Sequence, residues 1–222
     1  MRLVLSAVLV LAGCAVAAPA GAEPTGAEPY NCPPACNSIP ASAWIAPSAI
    51  PLDDRYDWPE LAGLSVRAPS PRFRFEELCA TRPAPADPRG YAVTEQAVVV
   101  NPLGQWQLQV QVMHWRGETW RGGQLVADTF TAAVEALRSC QLTNPLASPS
   151  LTTDESGRMA AVISGPVIVH QYVVANPSNS TISEVALWSS APPLTDWPAV
   201  ADAAVLDAMS VPLCTAYIGS CP

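Results

Sequence analysis

The chain has 222 residues, half of them hydrophobic, and a formal net charge of -8. That composition excludes a disordered chain, and the charge disfavours nucleic acid and anionic lipid surfaces as partners, since both are polyanions. All 11 basic residues are arginine, which together with 24 prolines and abundant alanine fits a GC-rich, actinobacterial source.

The first 22 residues read as a signal peptide. Met1-Arg2 is a minimal basic start, Leu3 to Ala18 is apolar, and small residues follow. Two processing routes fit. Leu11-Ala12-Gly13-Cys14 matches a lipobox, in which Cys14 is lipidated, whereas Ala20-Gly21-Ala22 suits ordinary cleavage before Glu23. Beyond residue 22 no apolar run is long enough to span a bilayer, so a membrane is reached only through a lipid anchor. The expected location is secreted or in the cell envelope. Cysteine usage agrees with export: besides Cys14 there are Cys32, Cys36, Cys79, Cys140, Cys214 and Cys221. An even set in an exported chain reads as disulfides. Cys79 with Cys140 is the expected bridge. The other four either close local loops, Cys32–Cys36 and Cys214–Cys221, or cross-tie the termini.

Residues 23–64 form a proline-rich arm, with helical turns expected at Ser42–Ile45 and after Pro51. A single α+β domain is expected over 65–222. Arg72–Leu78 reads as a strand, because Phe73 and Phe75 alternate with arginines. Tyr91–Val100 and Gln105–Trp115 read as an antiparallel hairpin joined at Asn101-Pro102-Leu103-Gly104. In the second arm Trp106, Leu108, Val110 and Val112 share one face, which His114 closes; Gln107, Gln109, Gln111 and Met113 share the other. The apolar row is expected to carry a helix and the glutamine row to face water or line a groove. This arm is the expected centre of the sheet. After a loop at 116–123, Val126, Phe130, Ala133, Val134 and Leu137 recur at helical spacing over Gln124–Ser139. Residues 141–157 read as a loop. Arg158–Ser164, Pro166–Ala175 and Thr181–Ser189 read as a β-meander. A last helix is expected from Asp196-Trp197-Pro198 to Met209, packed through Val200, Ala204, Val205 and Ala208, with a cysteine-bearing tail after it. The resulting fold class is α+β: an antiparallel sheet of five to six strands packed by two amphipathic helices on one face, in two layers, stapled by disulfides.

Catalytic signatures are weak. There is no Gly-x-Ser-x-Gly and no His-Glu-x-x-His, and Cys32-Pro-Pro-Ala-Cys36 has the wrong spacing for a dithiol site. Asp53, Asp54 and Asp57 read as helix-start carboxylates, with no metal expected, and no cofactor is expected. His114 and His170 read as structural. The surface most suggestive of binding is formed by Trp115, Arg116, Trp120 and Arg121 around the 116–123 loop, with Gln109 on the adjoining polar row, since exposed Trp and Arg are frequent binding anchors.

The order of elements, a helix ending in Cys140, a three-strand meander, then a helix opening at Trp197-Pro198 and running through Ala208-Met209, resembles the extracytoplasmic sensor-like domains of mycobacterial proteins, the family of the PknH kinase extracellular domain. The resemblance spans roughly residues 65–210. It implies a disulfide-stapled antiparallel sheet with helices and a ligand-binding cleft, and it transfers no functional residue. The Cys32–Cys36 arm and the Cys214–Cys221 tail have no counterpart in it. The functional expectation is an exported, non-enzymatic protein that binds a small ligand, glycan or peptide, its partner an envelope ligand or protein. The alternatives are a secreted hydrolase using His114 or His170, and an interaction module that adds its sheet edge to a partner.

Overall fold

The computed structural model describes residues 36–217. Its helices and strands, in chain order, are α1 (Asp53–Tyr56), β1 (Val66–Arg67), α2 (Arg74–Leu78), β2 (Val93–Val99), β3 (Gln107–His114), α3 (Thr119–Arg138), α4 (Cys140–Thr143), β4 (Ser148–Glu155), β5 (Arg158–Ser164), β6 (Val167–Asn176), β7 (Thr181–Ser190) and α5 (Asp202–Ala216). The expected signal peptide, the Cys14 lipobox, Cys32 and Cys221 lie outside the described residues.

The fold class is α+β, and the sheet has seven strands in the order β1-β2-β3-β7-β6-β5-β4. Every pairing is antiparallel. Two meanders, β1-β2-β3 and β4-β5-β6-β7, join where β3 pairs with β7, Val110 opposite Val185. The central strand is therefore β7, and the expected centre, β3, is its neighbour. The strand count exceeds five to six because both edges were illegible. β1 is two residues long, and β4 is a Ser-, Thr- and Pro-rich strand with mostly exposed side chains, which gives it the composition of a loop.

Both faces of the sheet are covered, so the architecture has three layers where two were expected. On one face Leu108, Val110, Val112, Tyr172, Val185 and Leu187 pack against the arm from Cys36 to Leu61 and against α5. On the other, Met113, Met159, Val173 and Ile182 pack against α2 and α3. The helix stripe Val126–Leu137 belongs to this second core, opposite the face expected for it. The glutamine row is not wet either: Gln109 is 6% exposed and Gln111 is fully buried. Period-two alternation assigns residues to faces; whether a face meets water is decided by what packs on it.

Other departures have local causes. Arg72–Leu78 is not a strand. Phe73 is extended, but α2 starts at Arg74, and the Glu76 carboxylate reaches back to accept the Phe73 backbone N–H at 2.8 Å, as in a capping box. The hairpin turn sits one residue later than expected, with Gln105 N donating to Pro102 O at 3.0 Å. This places Gly104 third in the turn, where its φ of +83° belongs. Helix α3 begins at Thr119, inside the expected loop. Gly122 and Gly123 are helical there because the helix lies against the turn before β7: a Cβ on Gly122 would meet Ser180 Oγ at 2.2 Å, and one on Gly123 would meet Pro177 O at 2.6 Å. Helix α5 runs six residues later than expected at its start and seven at its end, and its buried stripe is Val205, Leu206, Met209, Leu213 and Ala216. It passes through Pro212, so Cys214 is helical and not in a tail.

Cys79 and Cys140 form a disulfide between the end of α2 and the start of α4, with Cα atoms 4.8 Å apart. Cys36 and Cys214 are each disulfide-bonded as well, their partners lying outside the described residues. Among the described residues no helix is long and apolar enough to cross a membrane. The disulfides fit an extracytoplasmic protein.

Candidate functional site

At the middle of the sheet, on the α2–α3 face, stands Glu184. It is fully buried in an otherwise apolar and small-residue row of β7. The register explains its surroundings. Gln111 lies directly opposite it on β3, while Gln109 and Gln171 both lie opposite Ala186, diagonal to it on either side. The small Ala186 leaves both amides room to lean toward the carboxylate, and diagonal pairs are within reach of long side chains. Gln109 donates to Glu184 Oε2 at 3.1 Å, Gln171 donates to Oε1 at 2.8 Å, and Gln111 donates to Oε2 as well. The fourth donor is the backbone N–H of Arg74, 2.6 Å from Oε1.

This polar knot anchors α2. Gln111 Nε2 also donates to Arg72 O at 2.8 Å, and Gln171 Oε1 accepts from Phe75 N at 3.3 Å. The Arg74 guanidinium carbon stands over Trp188, 4.2 Å from the ring centroid. Burial pushes the Glu184 carboxyl up to about 7, against the pull of its four donors.

On the outer side of α2 a second polar group is buried. Arg89, 6% exposed, donates through Nη1 and Nη2 to Glu76 at 2.6 and 3.0 Å, and through Nε and Nη2 to Asp87 at 3.0 and 2.6 Å. The Asp-Pro-Arg sequence makes this possible: Asp87 caps the Pro88–Tyr91 turn by accepting Arg89 N, which turns the arginine back onto its own cap. Burial raises the Asp87 carboxyl, but the Arg89 hydrogen bonds outweigh it and hold the group below its usual value. Arg89 in turn stays protonated: burial opposes its charge, and the two carboxylates restore it.

Between this ion-pair group and α3 lies a cavity of about 300 Å³. Ala132, Ala133 and Ala136, one side of α3, line it together with Phe73, Thr129 and the Glu76–Arg89–Asp87 group. Thr129 is 6% exposed and its hydroxyl has no hydrogen-bond partner. A mostly apolar recess with a few convergent polar groups is the ordinary form of a small-molecule site. Glu76 and Asp87 are tied up by Arg89, Asp128 also lines the recess, and neither histidine does.

The residues singled out from sequence do not converge. Gln109 belongs to the Glu184 knot. Trp115 is 3% exposed, and its indole donates to Pro88 O at 2.9 Å, so it is a core residue supporting the turn that carries Arg89. Trp120 and Arg121 are exposed on the first turn of α3, the guanidinium 5.0 Å from the indole centroid and paired with Glu118 at 3.3 Å. Arg116 donates to Asn37 and does not line the cavity. The histidines pack on aromatic rings: His114 stacks on Tyr217 at 4.7 Å, and His170 stacks on Trp197 at 3.5 Å with Trp106 edge-on at 5.5 Å. Burial lowers His170 to about 4, against a weaker opposing effect of Asp202, so the ring is neutral.

Glu76, Asp87, Arg89 and Thr129 were missed because the three elements that bring them together are far apart in the chain. Glu184 carried a legible signal: a lone carboxylate in the middle of an apolar strand. No family model, curated protein or solved structure matches this chain.

Proposed function

We propose that this chain is an exported, non-enzymatic binding protein that takes one small, mainly apolar ligand in the cavity between α2 and α3. The observation that carries the reading is the cavity itself, an alanine floor closed at one end by saturated ion pairs, with a buried Thr129 hydroxyl that has no partner. A ligand with an apolar body would fill the recess against the alanine side of α3. Glu76, Asp87 and Asp128 outnumber Arg82 and Arg89 on its walls, which favours a neutral or cationic ligand over an anion. The resemblance of the element order to exported mycobacterial sensor-like domains agrees with a cleft-binding role and stays part of the proposal, as does secretion or attachment to the cell envelope.

The two alternatives find less support. The hydrolase reading needs a histidine in a polar cleft, whereas His170 is held between two tryptophans. The edge-addition reading needs an unprotected strand. β1 is only two residues long, and β4 carries Pro149, a register shift between Leu151 and Thr153, and the acidic pair Asp154-Glu155, all of which blunt an edge.

Fluorescence titration with the neutral probe Nile red tests the proposal. Wild type is expected to bind one probe per chain with an emission gain. Ala132→Trp, which fills the cavity from the exposed side of α3, is expected to abolish that gain while leaving the circular dichroism spectrum unchanged. Absence of saturable binding to wild type, or equal binding to the variant, would contradict the reading.

A further inference from the structure

The geometry points to a second site, for a small phosphate-bearing anion, in the groove between Arg67 and Arg116. The groove, about 460 Å³, opens where β1 ends and the Pro88–Tyr91 turn runs into β2. Arg67 comes from β1 and Arg116 from the residues after β3, yet both guanidinium groups converge on Asn37. Arg67 Nη2 donates to Asn37 O at 2.7 Å, and Arg116 donates to Asn37 Oδ1. Each guanidinium has five donors, and these contacts use one of each.

The charge around the groove runs against that of the whole molecule. In a chain of net charge -8, the described residues lining this groove include two arginines and no carboxylate. The nearest acids in sequence are engaged elsewhere. Glu95, opposite Arg67 on β2, accepts from Ser65 Oγ at 3.0 Å and Ile39 N at 3.2 Å. Glu118 pairs with Arg121 at 3.3 Å, and Asp87 pairs with Arg89. Among the described residues neither arginine forms an ion pair, and two such forks match the oxygens of a phosphate, which they can bind bidentately.

A further feature points to a bound molecule. Tyr91, 73% exposed, stands at the rim, and the recess continues past it and Arg116 to Gly117. An exposed aromatic beside an anion site offers a face for the organic body of a phosphate ester. The ligand class assigned is therefore a small phosphate monoester bearing a ring, with the phosphate between the arginines and the ring on Tyr91.

Calorimetric titration of the full secreted chain at low salt tests the assignment, with phenyl phosphate, inorganic phosphate and benzoate as probes. Phenyl phosphate is expected to bind once per chain and more tightly than inorganic phosphate or benzoate. Arg67→Gln and Arg116→Gln are each expected to weaken it about tenfold, the loss of one charge-assisted contact. Tyr91→Ala is expected to remove the advantage of phenyl phosphate over inorganic phosphate. Ala132→Trp should leave all three affinities unchanged, which separates this site from the α2–α3 cavity. No saturable binding to wild type, unchanged affinity in both arginine variants, or benzoate binding as tightly as phenyl phosphate would overturn the assignment.

Discussion

Glu184 and His170 are two buried ionisable groups with opposite effects on stability. Burial raises the Glu184 carboxyl to about 7 from an ordinary value near 4.5, so its contribution is fully present below pH 4.5 and is lost as pH rises through 7. Burial lowers His170 from 6.5 to about 4, so its contribution is present above 6.5 and is lost as pH falls through 4. Each shift corresponds to about 3 kcal/mol across its window. The windows overlap with opposite sign, so the wild-type urea midpoint is expected to vary little between pH 4.5 and 6.5. Glu184→Gln removes one slope and should leave stability rising with pH by about 3 kcal/mol. His170→Asn removes the other and should leave it falling by a similar amount. Urea unfolding of both variants at several pH values measures this, and two flat profiles would contradict it. The sequence shows Glu184 interrupting an apolar strand, a signal that reading Thr181–Ser189 only as a meander strand passed over. It could not show that the carboxylate meets three glutamine amides, because that depends on β3 and β6 both flanking β7.

At the scale of elements, α3 shows how packing overrides local preference. Glycine is a poor helix former, and on exposed surface Gly→Ala inside a helix gains about 1 kcal/mol. Here Gly123 faces Pro177 O so closely that an added Cβ would lie 2.6 Å from it. Gly123→Ala is therefore expected to destabilise by about 1–3 kcal/mol, the ordinary cost of overpacking, measured by chemical denaturation. Stabilisation would show that the helix can retreat from the turn. The same contact explains why Trp120–Gly123 read as a loop: the reason for the glycines lies some 55 residues downstream. Elements with unbroken periodicity were legible, including both arms of the hairpin, the three strands from Arg158 to Ser190 and the body of α3. Those that escaped, α2, β4 and the placement of α5, owe their conformation to partners. α2 is held by the Glu184 knot and its own Glu76 cap, β4 by pairing with β5, and α5 by the arm and sheet face it packs against.

At the scale of the molecule, the Cys79–Cys140 bridge, with a sequence separation of 61, closes a loop of chain that contains β2, β3 and α3. Constraining a loop of this size in the unfolded chain is worth about 4 kcal/mol. A Cys79→Ser, Cys140→Ser double variant is expected to lose that much in urea unfolding, and a loss under about 1 kcal/mol would place the stabilisation elsewhere. The bridge was expected from the sequence, although Cys79 ends a helix and not the strand foreseen; the cavity was not expected. That cavity needs the Arg89 turn, the α2 cap and the alanine side of α3 at once, and each of these reads as ordinary when met alone.

The central claim is that a small apolar ligand enters between α2 and α3. The most direct test is to titrate isotope-labelled protein with Nile red and map the amide shifts by nuclear magnetic resonance. The account predicts the largest shifts at Thr129, Ala132, Ala133 and Ala136, with Arg89 moving alongside them. Shifts centred on Trp120 and Arg121, or spread evenly over the surface, would contradict it.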